Sequence, residues 1–250
     1  MRDTHAAPPA PFVSAGRSHL GGRPLNEDRI LERPEVGLWA VADGMGGHQA
    51  GEVASAMVVD ALAQVACFDS GYAYLSDVAA QLRGVNQALL DMGSGVPGRS
   101  VMGSTVVVLI IHEGHYACVW AGDSRAYLFR QGELSRITHD HSLVQEMVDS
   151  GALTAEQAQA HPRANVITRA VGVAEPLQLE RRHGAIEPGD IFLLCSDGLT
   201  GTMRDEEIEE RLLAPDIDRA ADDLLGLALG RNARDNVSLI LVRADSVIDS

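Results

Sequence analysis

Gly37-Leu38-Trp39-Ala40-Val41-Ala42-Asp43-Gly44-Met45-Gly46-Gly47-His48 is the stretch whose reading decides the fold: five consecutive apolar residues run into one carboxylate and a burst of glycines. Residues 38–42 are expected to form a short strand buried on both faces, because an uninterrupted apolar run bounded by turn formers leaves no side for water. Such a strand needs one layer above it and another below. The glycines that follow let the backbone turn tightly and approach a bound group closely, so Asp43 is presented at a strand tip. Taken alone, an Asx-turn at a strand end accounts for this acid equally well.

Outward from this strand, residues 21–28 read as a glycine turn feeding an acidic strand start. Residues 50–66 place Val53, Met57, Val58, Ala61, Leu62 and Val65 three or four apart, the period of an amphipathic helix laid on a core. A second helix is expected from an N-cap at Ser76 through Val78, Leu82, Val85, Leu89 and Met92. Strands are expected at 104–111, 115–121 and 126–130, and the short link His112-Glu113-Gly114 makes the first two an antiparallel hairpin. Residues 139–172 read as a small excursion with helices near 142–149 and 154–159. Strands at 177–182 and 190–195, helices at 205–213 and 217–229, and a strand at 237–243 complete the order. This is not the strict alternation of a doubly wound parallel sheet, so antiparallel sheets covered by helices are expected.

Composition narrows the chemistry. The 250 residues are 46% apolar, ordinary for a globular chain with a sizeable core. Residues 1–15, rich in Pro and Ala, are expected to be a disordered lead-in to a single domain at 16–245. All 20 basic residues are Arg against 35 acids, a net charge of -15, which argues against a nucleic-acid backbone or an anionic membrane as partner. The absence of Lys removes a P-loop lysine, a Schiff-base lysine and a kinase strand lysine. Cys67, Cys118 and Cys195 are scattered without metal spacing, as in a reducing compartment, and the longest apolar run, 106–111, is far too short to cross a bilayer. The expected setting is the cytoplasm.

The pattern of an acid at the end of an apolar run recurs. Asp43, Asp123 and Asp197 follow such runs, while Asp28 and Asp235 open them. Each is explained by a turn if they lie apart. If they converge, their mutual repulsion requires either protonation or a cation. Oxygen ligands without clustered His or Cys then point to Mg²⁺ or Mn²⁺ and away from Zn²⁺.

Several short motifs occur in a fixed order over about residues 16–244: Arg23 with Asn26-Glu27-Asp28, Ala42-Asp43-Gly44-Met45-Gly46-Gly47-His48, Gly103-Ser104-Thr105, Ala121-Gly122-Asp123-Ser124-Arg125, Thr138-His139-Asp140-His141-Ser142, Cys195-Ser196-Asp197-Gly198-Leu199 and Asp235-Asn236-Val237. In this set the chain resembles the bacterial metal-dependent serine/threonine protein phosphatases of the PPM, or type 2C, family. The resemblance implies an α+β, four-layer αββα sandwich, with two central antiparallel sheets flanked by helix pairs and the excursion at 139–172 as a flap beside the site. It further implies that Asp43 bridges two Mn²⁺ or Mg²⁺ ions, with the Gly44 carbonyl, Asp197 and Asp235 in the same shell and Glu27 and Asp28 holding coordinated waters. Asp123 matches a position that holds a third ion together with Asp197. A hydroxide shared by the two core ions would attack phosphorus in line, with Arg23 as the phosphate clamp.

Met45 stands where many eukaryotic relatives carry the His proposed as the acid for the leaving alcohol. Either His48, acting through water, or a metal-bound water takes that role, and a backbone hydrogen bond is the competing role for His48. For Arg163, Arg169 and His161 in the excursion the two open roles are contact with a phosphopeptide and plain surface exposure, and surface exposure is the expected one. The expected partners are phosphorylated proteins, those of a Ser/Thr kinase, acted on by a monomer. A small-molecule phosphatase and a catalytically silent partner-binding regulator of the same fold are the alternatives. A cysteine phosphatase is disfavoured because no Cys precedes an Arg at the phosphate-loop spacing, and a serine hydrolase because no GxSxG elbow occurs.

Overall fold

A computed structural model describes residues 12–46, 49–66, 70–94 and 101–245. In chain order the elements are β1 (Phe12–His19), β2 (Asp28–Arg33), β3 (Leu38–Met45), α1 (Ala50–Leu62), α2 (Gly71–Gly93), β4 (Gly103–Ser104), β5 (Val106–His112), β6 (His115–Ala121), β7 (Arg125–Arg130), β8 (Glu133–Arg136), α3 (Leu143–Asp149), α4 (Ala155–Gln159), β9 (Glu180–Ala185), β10 (Ile191–Cys195), α5 (Asp197–Thr200), α6 (Asp205–Leu212), α7 (Ile217–Gly230) and β11 (Val237–Ala244). One sheet runs β1-β11-β10-β7-β8, and the other runs β2-β3-β5-β6-β9 with β4 beside the tip of β3. Every pairing is antiparallel.

The two-faced burial expected of β3 organises the layers. Leu38, Ala40 and Ala42 face α1 and α2, packing with Val58, Leu62, Val78 and Leu82. Trp39 and Val41 face the opposite way, into a layer shared with Phe192, Leu194, Ile240 and Val242 of the second sheet. The same alternation in β10 and β11 sends Leu193, Cys195, Leu239 and Leu241 toward Ile208, Ala221 and Leu224 of α6 and α7. Three apolar seams therefore separate four layers, helix, sheet, sheet and helix, as expected. Each large side chain so buried contributes roughly 1.5–3 kcal/mol relative to exposure.

Four local expectations differ from the structure. β1 starts at Phe12, inside the stretch expected as a disordered lead-in: residues 12–15 pair with β11 from Phe12↔Ala244 onward, and Phe12 packs edge-on against Trp39 at 6.0 Å. Residues 1–11 lie outside the described residues. Helix α2 begins at Gly71, ahead of the expected cap at Ser76, because buried Tyr74 anchors its first turn by donating to the Val36 carbonyl at 2.6 Å. β9 is displaced toward the C-terminus of 177–182, since its partner β6 sets the register from His115↔Ala185 to Trp120↔Glu180. β8 was not expected; it returns on β7 through Gln131 and Gly132, both at positive φ, a two-residue hairpin turn. The excursion at 139–172 does carry two short helices, with Ser142 and Thr154 accepting from Gln145 and Gln157 N–H at their N-caps. Among the described residues no helix is long and apolar enough to cross a membrane.

Candidate metal centre

The acids at the strand tips converge. Asp28 and Asp43 are direct cross-strand partners in β2 and β3. Asp197 follows β10 and Asp235 precedes β11, neighbouring strands of the other sheet. Each carboxylate raises the proton affinity of others in the group. Asp43 is held well above the ordinary range by burial, then by the charges of Asp28, Asp197, Asp123 and Asp235. Burial, with Asp197 and Asp235 adding to it, pushes Asp28 up to about 7, although hydrogen bonds from serine hydroxyls oppose the rise. Burial, then the charges of Asp197 and Asp140, push Asp123 up to about 8. For Asp197 the value is about 6, burial and Asp235 being offset by Arg23. Glu27 is raised by burial. Asp43 and Asp197 keep part of their surface open while their carboxylates sit deep among protein atoms.

The surrounding polar groups fix the backbones of these acids. Asp43 N–H donates to Thr105 Oγ1 at 3.1 Å, and the Asp43 carbonyl accepts from Thr105 N–H at 2.8 Å and from Ser104 Oγ at 3.1 Å. Gly44 N–H donates to the Glu27 carbonyl at 3.1 Å. A Cβ on Gly44 would lie 2.0 Å from the Gly51 carbonyl oxygen, so only glycine lets the tip of β3 meet the first turn of α1. Asn236 stitches the opposite side: its Oδ1 accepts from Glu27 N–H at 2.8 Å, and its Nδ2 donates to the Leu20 and Leu25 carbonyls. Ser196 Oγ donates to Asp28 Oδ2 at 2.8 Å, linking the two sheets at the site. Thr105, Ser196 and Asn236 were present in the sequence motifs without an assigned role; each lies immediately beside Ser104, Asp197 or Asp235, and that adjacency was the available signal.

Whether these residues fit a metal is decided by their unsatisfied oxygens. Glu27 Oε1, Asp28 Oδ1, Asp123 Oδ1 and Asp197 Oδ1 are buried and receive no hydrogen bond. An orphaned buried acceptor costs about 1–3 kcal/mol, and four of them among mutually repelling acids fit a site that a cation would compensate. The donor set is entirely oxygen, which fits hard divalent ions. Among the described residues no three His, Cys, Asp or Glu side chains close on one point as a ready-made cage. The acids instead act on one another through their charges, a spacing that waters and main-chain carbonyls would bridge to complete an ion's coordination.

Arg23 stands at the rim, 52% exposed, with Nη2 donating to Asp235 Oδ2 at 2.7 Å. His48 lies outside the described residues. Asp140 is buried and gripped by Arg125 through Nε at 3.0 Å and Nη2 at 2.7 Å, which makes it a structural anchor of the excursion. His141 is likewise buried. Its Nδ1 accepts from Gly122 N–H at 3.1 Å, and its own N–H donates to the Gly122 carbonyl at 3.0 Å. Nε2 faces Glu180 Oε1 at 3.1 Å, fixing the tautomer protonated there. Burial pushes this imidazole down while Glu180 pulls it up. Arg169 is not a free surface residue, since Nη1 meets the same Glu180 oxygen at 2.8 Å.

The chain is similar to known proteins over most of its length. PstP, a serine/threonine protein phosphatase of Mycobacterium tuberculosis, is 40% identical over 230 residues, 91% of this chain. The chain spans only 44% of that relative's length. Among solved structures, PppA, a key regulatory component of T6SS in Pseudomonas aeruginosa, superposes with a TM-score of 0.86 at 45% identity over 93% of this chain and 97% of that one. The catalytic domain of PstP in complex with two manganese ions gives 0.85 at 36% identity, covering 94% of this chain and 99% of that one. A family model described as protein phosphatase 2C matches residues 15–228, a span that contains all the acids above except Asp235. The chain belongs to the protein phosphatase 2C family.

Proposed function

We propose that the chain hydrolyses phosphoserine and phosphothreonine on proteins in a reaction that depends on divalent metal. The observation that carries this reading is the set of buried carboxylate oxygens without donors, drawn from both sheets to one place. Asp43, the Gly44 carbonyl, Asp197 and Asp235 would hold two ions, with Glu27 and Asp28 orienting their waters, and Asp123 with Asp197 would hold a third. Bound there, Mn²⁺ or Mg²⁺ supplies an activated water nucleophile and offsets charge developing on the phosphoryl oxygens. The structure of the PstP catalytic domain in complex with two manganese ions supports a two-ion centre.

The protein's own groups bind and orient. Thr105 and Ser104 hold the Asp43 backbone by three hydrogen bonds, so the strand tip that presents its carboxylate stays in place. Arg23 spends one donor on Asp235 and offers the rest of its fork to a phosphate. His48 is the candidate proton donor to the leaving alcohol. The catalytic unit is a single domain over 12–245, since β1 begins at Phe12, with 139–172 as its flap, acting as a monomer against the products of a Ser/Thr kinase. A cytoplasmic setting fits the free, buried thiols of Cys118 and Cys195.

Hydrolysis of a phosphothreonine peptide should disappear in EDTA and return on adding excess Mn²⁺; activity that persists through chelation would overturn the reading. Arg23→Ala should raise KM roughly tenfold with little change in kcat, the effect of losing a charge-assisted contact made equally in ground and transition states. Steady-state kinetics on the same peptide check this, and wild-type constants would remove Arg23 from the site.

A further inference from the structure

Beside the base of the flap lies a cavity of about 220 Å³ bordered by Glu146, Arg169, Val173, Glu175, Pro176 and Leu177. It is smaller than the roughly 300–1,000 Å³ of sites that enclose small-molecule ligands, and its size suits one amino-acid side chain. Two chains of contacts join it to the metal acids. Val173 and Met45 both overhang Gly103, where a Cβ would meet Val173 Cγ2 at 3.2 Å and Met45 Cε at 2.9 Å, and Met45 ends the strand that carries Asp43. On the other side Arg169 is held by Glu180, Glu180 meets His141, and His141 grips the Gly122 peptide next to Asp123. A peptide whose phosphorylated residue sits at the acids therefore has this cavity within reach of a neighbouring side chain.

The lining specifies which side chain. Arg169 is already paired with Glu180. Glu146 and Glu175 are exposed and have no ion pair among the described residues, so the cavity's uncompensated charge is negative. Val173, Pro176 and Leu177 supply an apolar wall. An aliphatic stem ending in a cation satisfies both features, as the long basic side chains do when they lay their methylenes on apolar surface. We infer that this cavity is a subsite for an arginine or lysine side chain flanking the phosphorylated residue of a protein substrate, an inference that rests on the phosphatase reading above.

The test walks a single Arg through the four positions on either side of phosphothreonine in an otherwise Ala peptide, using the full chain in Mn²⁺. The value of kcat/KM should rise roughly fivefold over the all-Ala peptide at one or two adjacent positions, mainly through KM, the gain expected of a partly screened ion pair. In the Glu146→Gln, Glu175→Gln double variant that ratio should fall to about one, and in Glu146→Arg, Glu175→Arg a Glu-bearing peptide should become the preferred one. A flat series, or an Arg preference that survives the double variant, overturns the subsite while leaving the phosphatase reading in place. Failure to hydrolyse any peptide of the series overturns the phosphatase reading itself.

Discussion

Asp43→Asn will lower kcat/KM for a phosphothreonine peptide by at least about a thousandfold in Mn²⁺ while raising the melting temperature of the metal-free protein at pH 8. The loss follows from position: Asp43 is the acid on which the charges of Asp28, Asp197, Asp123 and Asp235 all bear, so its carboxylate is the centre of the proposed ion-binding set. The gain follows from the same fact read without metal. Burial and four neighbouring carboxylates make an ionised Asp43 unfavourable in the folded protein, and an amide of the same shape carries no charge to desolvate. Its backbone bonds to Thr105 N–H, Thr105 Oγ1 and Ser104 Oγ do not involve the altered atoms. The stability gain should narrow as pH falls toward 4, where the wild-type acids are protonated anyway. Opposite movement of activity and stability separates this account from misfolding, which lowers both. Retained turnover, or a lower melting temperature at pH 8, would remove Asp43 from the centre.

Much of this was legible in the chain, for reasons that differ by element. Leu38–Ala42 announced a sheet covered on both faces because an apolar run without a polar face demands it, and Trp39 and Leu38 do face different seams; the four-layer order came from the resemblance. The acids at strand tips were legible as a recurring pattern. Their convergence was not, because it depends on registers such as Asp28↔Asp43 and on Ser196 reaching across to Asp28, both set by pairing between distant segments. β1 was hidden by its Pro- and Ala-rich approach, and the bounds of β9, though not its existence, by a run of charged residues, Glu180-Arg181-Arg182-His183, that an edge strand facing water tolerates. The Glu180–His141–Gly122 linkage had no signature at all, since its members lie in three separate segments and meet only once β6 and β9 pair.

Stripped of metal, the protein should be less stable at pH 8 than at pH 5, with the melting temperature falling by roughly 6–12 °C, and Mn²⁺ should reverse the trend. The sign comes from proton counting. An aspartate in the unfolded chain ionises near pH 4, whereas in the fold Asp197 holds its proton to about 6, Asp28 to about 7 and Asp123 to about 8. Between those limits the folded state binds more protons than the unfolded state, so stability is fully present below the unfolded value and declines as pH rises to each folded value. One excess proton is worth about 1.4 kcal/mol per pH unit; because these acids repel one another and titrate as a group rather than independently, they are counted together as about one excess proton over two units, roughly 3 kcal/mol, which gives the stated temperature shift for a chain of this size. A divalent ion takes the place of those protons. Its binding must expel them, so affinity increases with pH, and saturation at about a hundred times Kd adds about 2.7 kcal/mol. Thermal melts in EDTA and in Mn²⁺ at pH 5, 6.5 and 8 should therefore diverge, with the metal-induced shift growing with pH. A chelated protein whose melting temperature climbs from pH 5 to 8 would show that these carboxylates do not share one buried space.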